Sequence, residues 1–204
     1  MTSIVIIDYG SGNLRSVAKV FERVASNVVV SADANLLKSA SHIVLPGVGA
    51  FGDCMAGLTS IPDMLDILNE QVGVRGKWFL GVCVGMQMLF ENGYEHGIHK
   101  GLGWLKGDVV PIISQSLKIP HMGWNELQIK QDSPLLAGVK DGDHAYFVHS
   151  YYAKPADNSQ VLASTEYGGD ITAIVGKGNI LGTQFHPEKS QKTGLRIIKN
   201  FVSL

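Results

Sequence analysis

The sequence has little that would mark it for a membrane, a nucleic acid or an oxidising compartment. Its 204 residues include only two cysteines, Cys54 and Cys83, too few for a disulfide framework. No group of Cys and His has the spacing of a zinc site and no phosphate-cradling glycine motif is complete, so neither a metal nor a cofactor is expected. Basic residues are not in excess. Lys+Arg is 17 against Asp+Glu 18, a formal net charge of −1, which argues against a chain whose main partner is nucleic acid or an anionic membrane. No apolar run approaches the ~18 residues that span a bilayer. The start, Met1 to Gly10, has neither the charged opening nor the small-residue cleavage site of a secretory signal. A cytoplasmic protein with reduced thiols is expected. Linkers, repeats and low-complexity tracts are also missing, which predicts one domain over residues 1–204.

What is present is an alternation of short apolar runs and helical patterns. Ile4 to Asp8 reads as a strand ending in the turn Tyr9-Gly10-Ser11-Gly12. Leu14, Val17, Ala18, Phe21 and Val24 then keep helical spacing. Val28 to Val30 reads as a second strand, and Asp33 as the cap of a short helix through Leu37. Ile43 to Leu45 reads as a third strand, stopped by Pro46-Gly47. Met64 to Val72 reads as a helix and Trp78 to Val82 as a strand. Uniformly apolar strands alternating with helices indicate a parallel sheet covered on both faces. The second half reads as strands around Val109-Val110, Ile112-Ile113, Leu127 to Ile129, Ala145 to Ala153 and Val161 to Ser164. Ile171 to Val175 and Ile180 to Phe185 flank a hairpin turn at Gly176 to Asn179. A last helix runs from Thr193 to Val202. The predicted fold is α/β: a mostly parallel central sheet flanked by helices, with additional antiparallel strands. Gly, at 24 of 204 residues, is well above its usual ~7% and falls at the turns.

The sharpest local signal is Gly81-Val82-Cys83-Val84-Gly85. It follows a strand and precedes an amphipathic segment, Met86 to Phe90. Gly-x-nucleophile-x-Gly at a strand-to-helix turn is the pattern of a nucleophile elbow. A helix starting there points its positive end at the sulfur and favours the thiolate. Taken alone, Cys83 could equally be a buried inert thiol; Cys54, in Gly52-Asp53-Cys54-Met55, has no such context and is read as inert. A thiolate needs a proton carrier. His186, in Gln184-Phe185-His186-Pro187-Glu188, sits at a strand's C-terminal end, where sites of parallel α/β sheets assemble. Glu188 is close enough to hold the imidazole tautomer. Cys83, His186 and Glu188 together suggest acyl transfer through a thioester. The Val84 N–H and the glycines of Pro46-Gly47-Val48-Gly49 are candidate oxyanion donors.

These motifs resemble those of the class I, triad-type glutamine amidotransferases, which have a flavodoxin-like fold. Four further segments narrow the resemblance to the family of glutaminase subunits of imidazole glycerol phosphate synthase, in histidine biosynthesis: Asp8 to Val17, Leu45 to Asp53, Pro120 to Asn125 and Tyr146 to Tyr151. The likeness runs from about Ile4 to Phe201. It implies hydrolysis of L-glutamine to L-glutamate and ammonia, with Cys83 as nucleophile and His186 and Glu188 completing the triad. It also implies Val48, Gly49 and Val84 at the oxyanion hole, and Gly49, Gln87, Glu95, Ser150 and Tyr151 as glutamine contacts. The ammonia would pass to a separate cyclase subunit that forms imidazole glycerol phosphate and AICAR. In this family the cyclase is a (β/α)₈ barrel of about 250 residues, for which this chain has no room, so a heterodimer is implied. Asn13, Trp124, Tyr146 and Lys189 match positions near its docking face. A class I glutaminase of another pathway, such as pyridoxal phosphate synthesis, is the alternative. An interaction module that kept the fold without the chemistry would have no need of the triad.

Other signals carry less. Gly10-Ser11-Gly12 begins like a dinucleotide fingerprint, but Arg15 occupies the third glycine position. His96 and His99 could share a helical face without a third ligand. His121, His144 and His149 are read as satisfying local hydrogen bonds.

Overall fold

A computed structural model describes residues 2–204. In chain order the strands are β1 (Ile4–Ile7), β2 (Val28–Ser31), β3 (His42–Gly47), β4 (Trp78–Cys83), β5 (Asn92–Gly93), β6 (His99–Lys100), β7 (Gly107–Pro111), β8 (His121–Glu126), β9 (Gln128–Ile129), β10 (His144–His149), β11 (Tyr151–Pro155), β12 (Val161–Glu166), β13 (Asp170–Lys177) and β14 (Ile180–Thr183). The helices are α1 (Leu14–Glu22), α2 (Phe51–Ser60), α3 (Met64–Leu68), α4 (Val84–Gln87) and α5 (Gln191–Val202). Among the described residues no helix is long and apolar enough to cross a membrane.

One eight-stranded sheet, in the order β2-β1-β3-β4-β14-β13-β12-β9, forms the spine. From β2 to β14 every neighbour is parallel; from β14 to β9 every neighbour is antiparallel. The parallel part has the flavodoxin-like order. Every residue of β1 and β3 is buried, because helices cover both faces: α1 meets α5, and α2 meets α3 and α4. Phe21 of α1 and Phe201 of α5 pack edge to face with ring centres 6.2 Å apart, a favourable aromatic geometry. Two smaller sheets, β10-β8 and β11-β7-β5-β6, come from the chain between β4 and β14. Thus β4 and β14 are hydrogen-bonded neighbours, although most of the second half of the chain lies between them.

The predicted fold class matches, with local corrections. β3 does not stop before Pro46-Gly47; it runs through both, in register with Val82 and Cys83. The Met64–Val72 helix is α only to Leu68 and continues as a wider π turn over Asn69–Val74. Asp33 does cap its helix, accepting from the Asn35 N–H, but the helix is a 3₁₀ turn. The segment after Cys83 is not amphipathic, since every residue from Val84 to Phe90 is buried. Ile112 and Ile113 lie beyond β7. The run Ala145 to Ala153 is two strands in two sheets, broken at Ser150. The Lys177↔Ile180 pair closes the expected hairpin. Sequence reading missed α2 and β8. His96 and His99 share no helix: His96 has φ 56° and His99 lies in β6.

Candidate active site

Cys83 ends β4 and precedes α4 with φ 56° and ψ −113°. That backbone is strained for a non-glycine residue, and such strain is characteristic of functional turns. The glycines around it are there for space. A Cβ on Gly85 would lie 1.8 Å from the Leu45 carbonyl oxygen, and one on Gly81 2.4 Å from the Gly85 oxygen. The turn therefore packs backbone against backbone, and the sulfur is carried into a cavity of about 270 Å³.

His186 lines the same cavity. It follows β14, the parallel neighbour of β4, so adjacent strand ends deliver the two groups. Its backbone is fixed on both sides: the His186 N–H donates to the Tyr146 carbonyl at 3.0 Å, and Ser190 Oγ donates to the His186 carbonyl at 2.7 Å. The imidazole Nδ1 sits 2.9 Å from Glu188 Oε1, with both side chains nearly sealed from solvent. An Nδ1–H donated to the carboxylate leaves Nε2 for the sulfur side. Burial alone would push this imidazole down, but the facing Cys83 sulfur and the Glu188 carboxylate outweigh it and raise it from 6.5 to about 10. The upward shift favours the protonated imidazole, the state that can give a proton to a leaving amine.

Val84 and Gly49, the candidate oxyanion donors, line the same cavity as Cys83. Val84 is the first residue of α4, so its N–H has no partner within the helix. At the end of β3, Ser11 Oγ donates to the Val48 carbonyl and Cys54 Sγ approaches the same oxygen at 3.7 Å. A trans peptide points C=O and N–H in opposite directions, so the Gly49 N–H is turned away from Ser11 and Cys54, neither of which lines the cavity. Gly49 has φ +115°, a conformation few other residues adopt.

Gln87, Glu95, Ser150 and Tyr151 also line the cavity. Glu95 Oε2 accepts from the Phe51 N–H at 2.7 Å, tying the carboxylate to the start of α2. Gln87 Nε2 donates to the Tyr151 carbonyl at 2.9 Å and to Gln184 Oε1 at 3.0 Å. The Ser150 carbonyl accepts from Ile112 at 2.8 Å. Both carbonyls are thus engaged within the protein, and what Gln87 can still offer a ligand is its oxygen. Sequence reasoning missed Pro120, Val148 and His149 in the lining, and Gln184 beneath it. Trp124, Tyr146 and Lys189 cluster: the two rings pack edge to face at 5.9 Å, and Lys189 Nζ lies 5.8 Å from the Tyr146 ring centre. Trp124 is half exposed. Asn13 stands at the start of α1, its side chain making no cap to the helix. Cys54 is buried in α2, and burial raises its thiol.

One wall of the cavity hangs on two neutral histidines. His149 Nδ1 lies 2.9 Å from the Tyr151 carbonyl, and His149 Nε2 lies 3.0 Å from His121 Nδ1. The carbonyl only accepts, so His149 carries its proton on Nδ1, and His121 must donate to its Nε2. Burial pushes both imidazoles down to about 4; in His149 the nearby His121 and His186 add to the effect. Their unfolded counterparts protonate near 6.5. Stability should therefore fall as pH drops from about 6.5 to 4, by roughly 3 kcal/mol for the hydrogen-bonded pair together, with no contribution above that window. Buried His42 works in the same direction. Melting temperature measured against pH checks this; equal melting at pH 7 and pH 4.5 would contradict it.

Three comparisons bear on this geometry. Residues 5–204 match the family model "Glutamine amidotransferase class-I". The chain is 53% identical to imidazole glycerol phosphate synthase subunit HisH of Rhodospirillum rubrum, over 98% of this chain and 97% of the relative. It is 51% identical to the HisH subunit of Brucella suis over the same shares of the two chains. Among solved structures it is similar to a glutamine amidotransferase at TM-score 0.75 and 18% identity, covering 98% of this chain and 99% of that one. PurLQS from Thermotoga maritima matches at TM-score 0.74 and 19% identity, covering 99% of this chain and 97% of the other.

Proposed function

The chain belongs to the class I glutamine amidotransferases and, within them, to the HisH subunits of imidazole glycerol phosphate synthase, and from that membership we propose how its residues release ammonia and to which partner they pass it. It is a glutamine amidotransferase of histidine biosynthesis. Cys83 attacks the side-chain carbonyl of glutamine, forming a C–S bond. The Val84 and Gly49 N–H groups receive the developing oxyanion. His186, held by Glu188, protonates the amide nitrogen as the C–N bond breaks, and ammonia leaves. Water then attacks the thioester with His186 as base, releasing glutamate and the thiolate. The second Glu95 oxygen suits the substrate's α-ammonium, and the Gln87 oxygen a further N–H. The observation that carries this reading is one cavity holding both a strained cysteine at a strand-to-helix turn and a buried His–Glu pair.

The partner is a separate (β/α)₈-barrel cyclase docked around the cavity mouth, in a cytoplasmic heterodimer. Exposed apolar side chains support that docking face: Val48 is 50% exposed, and Met122 and Trp124, on the strand that leaves Pro120, are 62% and 46%. Isolated apolar residues are ordinary on a surface, whereas a contiguous patch marks contact with another protein; Val48 lines the cavity, and Met122 pairs with Val148, which also lines it. Ammonia released against a docked barrel is kept from bulk water. The test is co-purification with such a cyclase, followed by steady-state glutamate release with and without it. The complex, with the cyclase's nucleotide ligand bound, should turn over glutamine at least about tenfold faster than the free chain. Equal rates, or no complex, would reject the assignment and leave a glutaminase of another pathway.

A further inference from the structure

Gln184 is fully buried, lies two residues before His186 and does not line the cavity. Its Nε2 is 3.8 Å from Cys83 Sγ in donor geometry. A glutamine amide can be turned end for end, so its partners must decide which atom faces the sulfur. The Tyr151 carbonyl decides it. As a pure acceptor it draws the nitrogen of Gln87, at 2.9 Å. The other hydrogen of that nitrogen then needs an acceptor, and the atom 3.0 Å away is Gln184 Oε1. With its oxygen so engaged, Gln184 turns its NH₂ to the sulfur. A single backbone carbonyl, through two buried amides, thus orients a donor at the nucleophile.

We propose that Gln184 is a further catalytic residue of this site: its amide N–H donates to the Cys83 sulfur, is held in that direction by Gln87 and the Tyr151 carbonyl, and favours the thiolate. A donor favours the charged form it bonds. An anionic sulfur accepts a hydrogen bond far better than a thioester sulfur does, so the bond is strongest before attack and again as the thiolate leaves in deacylation. The role rests on the glutaminase reading above, and its test is built to fail separately from it.

The experiment uses the full chain and Gln184→Met, which keeps the side-chain length and removes the amide. Alkylation of Cys83 by iodoacetamide is followed by mass spectrometry of the Cys83 peptide from pH 5.5 to 10, alongside melting curves and glutaminase kinetics in the cyclase complex. At pH 6.5 the variant should react about tenfold more slowly than the parent, and approach its rate at alkaline pH. The kcat should fall about tenfold, while KM for glutamine stays within about twofold, because Gln184 does not reach the cavity. Gln87→Met, which removes the anchor and leaves the amide, should shift the alkylation profile in the same direction by less. Superimposable profiles in a folded Gln184→Met would reduce Gln184 to packing and overturn the proposal. If that variant does not fold, an unshifted Gln87→Met profile overturns it equally. A parent chain whose Cys83 reacts at no pH would overturn the nucleophile itself, a failure distinguishable from the first two.

Discussion

Cys83→Ala is expected to lower glutamine-dependent synthesis by the two-chain enzyme at least about 10³-fold while leaving synthesis from added ammonium salts near the parental rate. The asymmetry follows from the division of labour. In the proposed reaction the sulfur forms the only covalent bond to glutamine, and no neighbour is placed to replace it: Cys54 sits in α2, directed at Ser11 and the Val48 carbonyl, and does not line the cavity. Deleting the sulfur removes one buried atom and leaves the strand pairing of β4 untouched, so the docking face and the cyclase persist. Free ammonia needs none of the glutaminase chemistry. Assays with each nitrogen source, on complexes verified by co-purification, give the result directly. Loss of both activities in a folded complex, or of neither, would remove Cys83 from the mechanism.

Gly85→Ala should be the most damaging single methyl group in the molecule. Its Cβ would stand 1.8 Å from the Leu45 carbonyl oxygen and 2.9 Å from the Leu45 carbonyl carbon. Both atoms belong to β3, paired with β1 and β4 on either side. A flexible side chain could swing away from such a clash; a central strand cannot without breaking its ladder. The cost should exceed about 4 kcal/mol, lowering the melting temperature by more than about 8 °C. Gly73→Ala is the control. Nothing lies within 4 Å of its Cβ, so the change should be neutral or stabilising by up to about 1 kcal/mol. Equal melting of Gly85→Ala and the parent would contradict the close approach of β3 to the elbow.

The local motifs were legible because their chemistry is local. Glycines two residues either side of Cys83, and Glu188 two residues after His186, can be read from a few letters. What escaped reading depends on neighbours distant in the chain. Gln184 and Cys83 are 101 positions apart, and His121 and His149 28. From sequence His149 is expected to satisfy a local bond, which it does, but its support of the cavity wall through His121 depends on a partner far along the chain. The helix α2 was hidden by Gly52 and Gly57, which weaken a helical pattern. They are there because a Cβ would meet the His99 ring and the Tyr9 carbonyl, each at 2.7 Å. Pro46 looked like a stop. Yet β1 pairs with β3 only as far as Val44, so at Pro46 one side of the strand has no ladder left to interrupt.

β4 lies between β3 and β14, and β14, with the Gln184–His186 segment after it, is synthesised roughly a hundred residues later than Cys83. Pairing across so long a stretch of chain is slow to find and comes late in folding. A nascent or truncated chain ending before Ile180 would carry the elbow but neither the base nor the amide beneath the sulfur. Under the proposed mechanism such a product has the sulfur but no means of releasing ammonia.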